Sequence, residues 1–520
     1  MDWNAGYVSD IEYTAGFYRE QNPTYLNYVC ILNGFEPVPL DRPYTYFELG
    51  FGRGLTVTVQ AASNPQGRFY ATDFNAAHVA GAQQLADAAG LDNLTLMENS
   101  FSDLAEGKVA DLPQFDFITL HGIYSWVSPE NRQHIRNFIA RYLKPGGIVF
   151  LSYNSMPGWA TAAPMQRLLL ENAKANPNRS NVQIEQGRDF IAKLMDLKAG
   201  YFEQNPNVSV RWQAIKTGNT NYLVHEYMND FWEPLYHADV ARGLGEAKLD
   251  FVGSAEIPYS FPVLYLSQEK QDMLKAIPEV ALRETIRDFL MNTSFRKDVF
   301  IRGARTMSHT RYLECLSHLG VALLIPRDQV SLKIKMAIGE INAREELYMP
   351  LIDALVQRPH SITEILAMYA AKGHTLATVV QVVSILAASN QTAIYSLSNA
   401  ERSSQSSQAL NRALTREVHF GDDFQVLSSS LLGNGLQTST MELLVYHQLT
   451  ATGKPIGQPA QIDTGAIAKA VWKIMAAQGR RLLKEGKPIE GEEANVAEVT
   501  RMTTRILASK LPLWQQLNML

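Results

Sequence analysis

The stretch that most constrains this chain is Tyr44-Thr45-Tyr46-Phe47-Glu48-Leu49, which runs straight into Gly50-Phe51-Gly52-Arg53-Gly54. Aromatic and branched residues predict a buried strand, the alternating glycines a tight turn, and Leu55 the start of a helix. A second strand, 68–72, ends at Asp73, nineteen residues beyond Gly54. That is the geometry of a nucleotide-binding βαβ unit, in which an acid at the second strand's tip accepts hydrogen bonds from ribose hydroxyls.

Glycine spacing separates the cofactors such a unit can take. A dinucleotide fingerprint is GxGxxG, with the helix N-terminus facing a pyrophosphate. Here position 55 is Leu, the third glycine comes one residue early at Gly54, and Glu48 precedes the first glycine by two residues. NAD is therefore the second choice. The pattern E-x-G-x-G-x-G resembles motif I of the class I S-adenosylmethionine (AdoMet) methyltransferases, whose ligand carries an amino-acid tail in place of a pyrophosphate.

The downstream order supports the resemblance. Strands are predicted at 93–97 and at 115–120, a helix at 130–142, and a further strand at 148–152 after the turn Leu143-Lys144-Pro145-Gly146-Gly147. The resemblance implies that Glu48, Gly50, Gly52, Gly54 and Asp73 hold the cofactor, with S-adenosylhomocysteine (AdoHcy) as product. Where the family often has an acid near the adenine, this chain has Asn99, Ser100 and Phe101, and Ser100 is the expected substitute. Tyr13 and Tyr18 precede the first strand, where the family commonly carries a lid, and are expected near the methionine tail. Asp116 reads as structural.

Methyl transfer is a direct displacement that mainly requires alignment of donor and acceptor and exclusion of water. The acceptor is expected at the strands' carboxyl ends, where His121-Gly122-Ile123-Tyr124-Ser125-Trp126 and Ser152-Tyr153-Asn154-Ser155-Met156-Pro157-Gly158-Trp159 lie. His121, Tyr124, Tyr153 and Asn154 are the candidate catalytic residues. His121 is suited either to taking a proton, its ordinary pKa lying near neutrality, or to holding a backbone carbonyl. Tyr124, Trp126, Tyr153 and Trp159 either form a cage around a cation or fill loop core.

A block from Tyr222, YLVHEYMNDFWEPLYHADVARGLGEAKLDFVGSAEI, is dense in aromatics and His. With YTAGFYREQNP, HGIYSWV, SYNSMPGW and SFRKDVFIRG, it resembles the bacterial methyltransferases that carry a methyltransferase regulatory domain, over residues 7–305. That group includes protein-lysine methyltransferases acting on outer-membrane proteins. His225, Tyr227 and Trp232, with Trp126 and Trp159, are the expected substrate-side residues. A metal is not expected, since HEYMN has Asn229 where H-E-x-x-H needs its second His.

At 520 residues the chain exceeds one hydrophobic core, which stops growing near about 250–300 residues. The expected fold is α/β: a Rossmann-like domain with an N-terminal lid (1–165), a mostly helical regulatory or substrate domain (166–340), a winged-helix-like unit (341–400) and an α-rich C-terminal domain (401–520). Residues 398–408 read as a linker, and 467–484 as a basic amphipathic helix.

A net charge of −5 gives no broad field for nucleic acid, and residues 351–400 hold only Arg358 and Lys372 against Asp353 and Glu364. Protein contact or homodimerisation is the better expectation for that unit. Two cysteines, Cys30 and Cys315, suit a reducing compartment. With no secretory start and no apolar run of about 18 residues, a cytoplasmic chain without a membrane span is expected. The expected activity is AdoMet-dependent methylation of a protein lysine. The alternatives are a small-molecule or saccharide acceptor, or a cofactor-binding module without turnover.

Overall fold

The computed structural model describes residues 6–8, 10–11, 15–451, 456, 462–484 and 487–520. Its centre is a seven-stranded sheet of β1 (Tyr44–Leu49), β2 (Gly67–Asp73), β3 (Leu94–Glu98), β4 (Phe115–Leu120), β5 (Leu143–Asn154), β6 (Leu249–Ser254) and β7 (Phe295–Arg302), in the order β3-β2-β1-β4-β5-β7-β6. The first five strands run parallel, β7 runs antiparallel to β5, and β6 antiparallel to β7. Parallel strands covered on both faces must be apolar on both, and Tyr46, Phe47 and Leu49 are all fully buried. The chain order reverses between β1 and β4, so a crevice opens at their carboxyl ends.

Five helices flank the parallel part: α1 (Pro23–Leu32), α2 (Leu55–Ser63), α3 (Ala76–Ala88), α4 (Phe101–Glu106) and α5 (Pro129–Tyr142). Between β5 and β6 the chain forms α6 (Ala163–Ala175), α7 (Ser180–Asp196), α8 (Gly200–Gln204), α9 (Val208–Thr217), α10 (Thr220–Tyr227) and α11 (His237–Gly245). Most of these helices share a core of their own, including Trp159, Leu169, Ile184, Trp212 and Tyr227.

The region expected as a mostly helical domain, 166–340, carries α6–α11 and further helices and also sends β6 and β7 to complete the sheet of the glycine-turn domain. In the sequence Phe-Arg-Lys-Asp-Val-Phe-Ile-Arg of β7, charges disguise a buried strand. Arg296 Nε donates to Asp298 at 2.9 Å, and its Nη1 donates to Asp288 at 2.7 Å. Asp298 also accepts from Tyr153 Oη at 2.6 Å and lies 3.0 Å from His237 Nδ1. Asp288 and Glu284 sit on α13 (Val280–Met291), which follows α12 (Gln268–Lys275) and turns its acids inward to Arg296.

Helices Glu345–Gln357, Ile362–Ala370 and Leu376–Ala388 form with a small sheet in the expected region, and Ser361 and Glu364 make a capping box. The central strand of that sheet is Leu319–Leu323, which precedes the expected boundary. The expected linker 398–408 is partly helical: Gln405–Glu417 packs on α2 and α3, and the buried Ser407 hydroxyl donates to the Ala62 carbonyl at 3.2 Å. The basic helix ends at Ala477 because Gly479 takes φ 69°, a left-handed stop. No helix among the described residues is long and apolar enough to cross a membrane.

Candidate functional site

At the carboxyl ends of β1, β2 and β4 lies a cavity of about 1040 Å³. Glu48, Gly50, Gly52, Asp73, Asn99, Ser100, Phe101, His121, Trp126 and Tyr18 all line it. These ten expected residues are thus brought together by the topology, although they span more than eighty positions of chain.

The glycine turn is the tightest part. Gly50 and Gly54 take φ 69° and 74°, which side-chain-bearing residues rarely adopt. A Cβ on Gly50 would meet Ile123 Cδ1 at 2.3 Å, and one on Gly54 would meet the Ala82 Cβ at 2.5 Å. Gly54 therefore sets the α2–α3 approach, while the Gly52 N–H donates to Asp73 Oδ2 at 2.8 Å. Asp73 also accepts from the Asn75 N–H at 2.9 Å, and His78 Nδ1 lies 3.3 Å away.

Glu48 is buried; its Oε1 accepts from Gln21 Nε2 at 3.3 Å, and its Oε2 has no partner among the described residues. Burial pushes its carboxyl up to about 8, against the Gln21 hydrogen bond and with help from the Asp73 charge. An unpartnered buried carboxyl oxygen costs free energy until a donor arrives.

His121 stacks on Tyr18, ring centroids 3.6 Å apart, with its Nδ1 3.1 Å from the Ser152 hydroxyl. Burial pulls its pKa down to about 3, with lesser opposing effects from Glu20 and Lys297. At that value it is neutral at pH 7 and poorly suited to removing a proton. Ser100 Oγ accepts from the Asp103 N–H at 3.2 Å as the cap of α4 and donates to Asp103 Oδ2 at 2.7 Å, so its hydroxyl is largely committed.

Other expected residues lie away from the cavity wall. Tyr124 is buried and its hydroxyl accepts from Arg136 at 3.2 Å. Tyr153 is fully buried in the Arg296–Asp298 network. Trp159 packs edge-on to Trp232 at 4.8 Å and lies under the Arg211 guanidinium at 3.9 Å, with Tyr227 beside it in the helical core. Of the four aromatics considered for a cage, only Trp126 reaches the cavity. His225 Nε2 donates to the Ile11 carbonyl at 3.0 Å, tying down the N-terminal segment. Tyr13 lies outside the described residues.

Asn154 is buried at the end of β5; its Nδ2 donates to Glu226 Oε1 at 3.2 Å. Among the described residues no group of three or more His, Cys, Asp or Glu is placed to hold a metal. Tyr7, Arg53, Phe74, His78, Asp230 and Phe231 also line the cavity and were not anticipated. Only Arg53, inside the glycine turn, carried a local signal; the rest arrive through long-range packing.

The description "Methyltransferase domain" matches residues 47–149, and "Predicted methyltransferase regulatory domain" matches 219–302. An uncharacterized protein of Synechocystis sp. is 36% identical over 520 residues, covering 100% of both chains. A second uncharacterized protein, from Rickettsia prowazekii, is 26% identical over 42% of this chain and 86% of its own. Among solved structures, PKMT2 from Rickettsia typhi in complex with AdoHcy superposes with a TM-score of 0.71 at 18% identity, covering 97% of this chain and 100% of that one. The two matched models in this order, a relative shared end to end, and a sheet with this strand order place the chain in the family of class I AdoMet-dependent methyltransferases that carry the methyltransferase regulatory domain.

Proposed function

We propose that the cavity holds AdoMet across the β1–β4 crevice and that the methyl group goes to the side-chain amine of a protein lysine. The observation that carries the cofactor placement is the pairing of a buried Glu48 Oε2, without a partner among the described residues, with an acid, Asp73, on the adjacent strand end, both facing one cavity. Glu48 offers its free oxygen to an α-ammonium, and Asp73 retains acceptor capacity for ribose hydroxyls. When bound, the cofactor supplies an electrophilic methyl group on a sulfonium.

The chain's own residues do the rest. Phe101, Phe74 and Ile123 supply apolar wall, Asn99 offers an amide at the adenine end, and the Tyr18–His121 stack roofs the space beside β4. A volume of about 1040 Å³ sits at the top of the roughly 300–1,000 Å³ usual for small-molecule sites, which leaves room for an acceptor beside one cofactor. Support for lysine comes from the whole-length likeness to PKMT2, a lysine methyltransferase, and from the phenols Tyr7 and Tyr18 and the carboxylate Asp230 on the cavity lining, groups suited to an amine.

The test is transfer from methyl-labelled AdoMet into desalted bacterial lysate protein and, separately, into a metabolite extract, with peptide mass spectrometry locating the label. Methyl-lysine is the expected product; label confined to small molecules would overturn the acceptor assignment.

A further inference from the structure

We propose that Glu226, held by Asn154 beside the Tyr7–Tyr18 wall of the cavity, receives the incoming lysine ammonium and removes its proton before transfer. This rests on the lysine reading above. Glu226 lies near the end of α10 in the block that matches the regulatory-domain model, and Asp230 and Phe231 of the same block line the cavity.

The geometry is that of a carboxylate fixed by a neighbouring amide. Glu226 is half-buried, and Asn154 Nδ2 donates to its Oε1 at 3.2 Å. Asn154 is itself held at both backbone groups: its N–H donates to the Ser125 hydroxyl at 2.8 Å, and its carbonyl accepts from the Leu235 N–H at 2.9 Å. Around the carboxylate stand Tyr7 from the N-terminal segment, Tyr222 and Tyr227 from α10, and Arg211 from α9, with Tyr18 beside Tyr7. The Arg211 guanidinium lies over the face of Trp159, 3.9 Å from its ring centroid, and its charge acts on Glu226. Burial pushes Glu226 up to about 7, against the Asn154 hydrogen bond and the Arg211 charge, which pull it down.

Two titratable groups that line the cavity, His121 and Glu48, are poorly suited. His121 is held near 3, too weak a base for an ammonium, and Glu48 lies at the glycine turn under Gln21. Lysine enters as an ammonium with no lone pair, so a proton must leave before nitrogen can attack. Glu226 takes that proton and becomes a neutral acid. The amine lone pair then forms the N–C bond as the C–S bond breaks, its electron pair staying on sulfur, and the product leaves as a methylammonium.

The experiment measures transfer from labelled AdoMet to lysine in desalted bacterial lysate protein between pH 6 and 9, with AdoHcy affinity by calorimetry as a second readout, on the full chain and on E226Q, E226D and N154A. E226Q should keep AdoHcy affinity within about twofold, lose about a hundredfold of transfer at pH 7, and recover on the alkaline side where the amine arrives deprotonated. The parent rate should rise through about 7, and N154A should move that midpoint upward because a hydrogen bond favouring the carboxylate is lost. E226D should regain part of the neutral activity. Parent-like transfer by E226Q with the same pH midpoint, an unmoved midpoint in N154A, or loss of AdoHcy binding in E226Q would each overturn the role while leaving methyl-lysine in the parent. Absence of methyl-lysine in the parent would remove the lysine reading and this proposal together.

Discussion

The ring of Tyr18 lies 3.6 Å, centroid to centroid, from that of His121 with 29° between their planes. One comes from the segment before β1 and the other from the end of β4, so the stack closes the cavity across the strand-order switch. An aromatic pair is worth about 0.5–1.5 kcal/mol beyond burial. Tyr18→Ala should weaken AdoHcy binding by about threefold to tenfold, while Tyr18→Phe should stay near the parent. Calorimetry checks this; equal losses in both variants would assign the effect to the hydroxyl.

Glu48 predicts a proton signature. Its carboxyl is pushed up to about 8 by burial, so at pH 7 it is mostly protonated before a ligand arrives. An α-ammonium bound to Oε2 favours the carboxylate, and AdoHcy binding should then release a proton. Calorimetry in buffers of different ionisation enthalpy reads that release directly. Glu48→Gln should abolish it and cost about 1.5–3 kcal/mol of affinity, the worth of a hydrogen bond to a charged group.

The same residue shapes stability. An acid whose folded pKa is raised binds more protons folded than unfolded, so stability falls as pH climbs from the ordinary 4.5 to about 8 and then levels. In urea titrations without ligand, Glu48→Gln should lose less stability than the parent between those two pH values. Parallel curves would mean that Glu48 is better solvated than its surroundings imply.

Arg296 joins Asp298, Asp288 and Glu284 in a network that is almost wholly buried. Burial pushes Asp298 up, but Arg296 and His237 outweigh it and hold the carboxyl well below its ordinary range. Its contribution is present above the ordinary carboxylate pKa and is lost as pH falls through the lower folded value. Arg296→Met leaves three acids facing one another and should cost about 3–5 kcal/mol by denaturant titration. A loss below about 1 kcal/mol would show that the acids protonate instead.

The cofactor end of the cavity was legible because its signals are local. Glu48, the glycines and Asp73 sit within one βαβ unit, and the turn between β1 and α2 is dictated by positive φ that only glycine adopts cheaply. The far wall of the cavity was not legible, because Tyr7 and Phe231 reach it through packing of segments more than two hundred residues apart. Tyr153 and Trp159 drew attention as aromatics on loops after β5, yet both are core: one caps Asp298, the other underlies Arg211. The strand at 295–302 was hidden by charges whose pairing a linear pattern cannot express.

The C-terminal third touches the cofactor turn directly. In the hairpin Val426–Ser429 to Asn434–Gln437, the Gly433 carbonyl accepts from Asn22 and Asn64 Nδ2 at 2.5 and 2.7 Å, and Gln60 Nε2 donates to Asn434 at 3.0 Å. A Cβ on Gly435 would meet Val426, Phe17 and Val59 at 2.6, 2.7 and 3.0 Å, so no side chain fits between the hairpin, α2 and the segment leading to Tyr18. Arg53, on the cavity wall, pairs with Asp423 at 2.6 Å and lies over Phe424. That pair is partly exposed and worth about 0.2–1 kcal/mol, so Asp423→Ala should cost at most about fivefold in AdoHcy affinity. Gly435→Val overpacks three surfaces at once, typically about 1–3 kcal/mol, and should lower both the unfolding midpoint and AdoHcy affinity. A lower midpoint with unchanged affinity would make the hairpin a brace for α2 alone; a joint loss makes the C-terminal region part of what shapes the cofactor site.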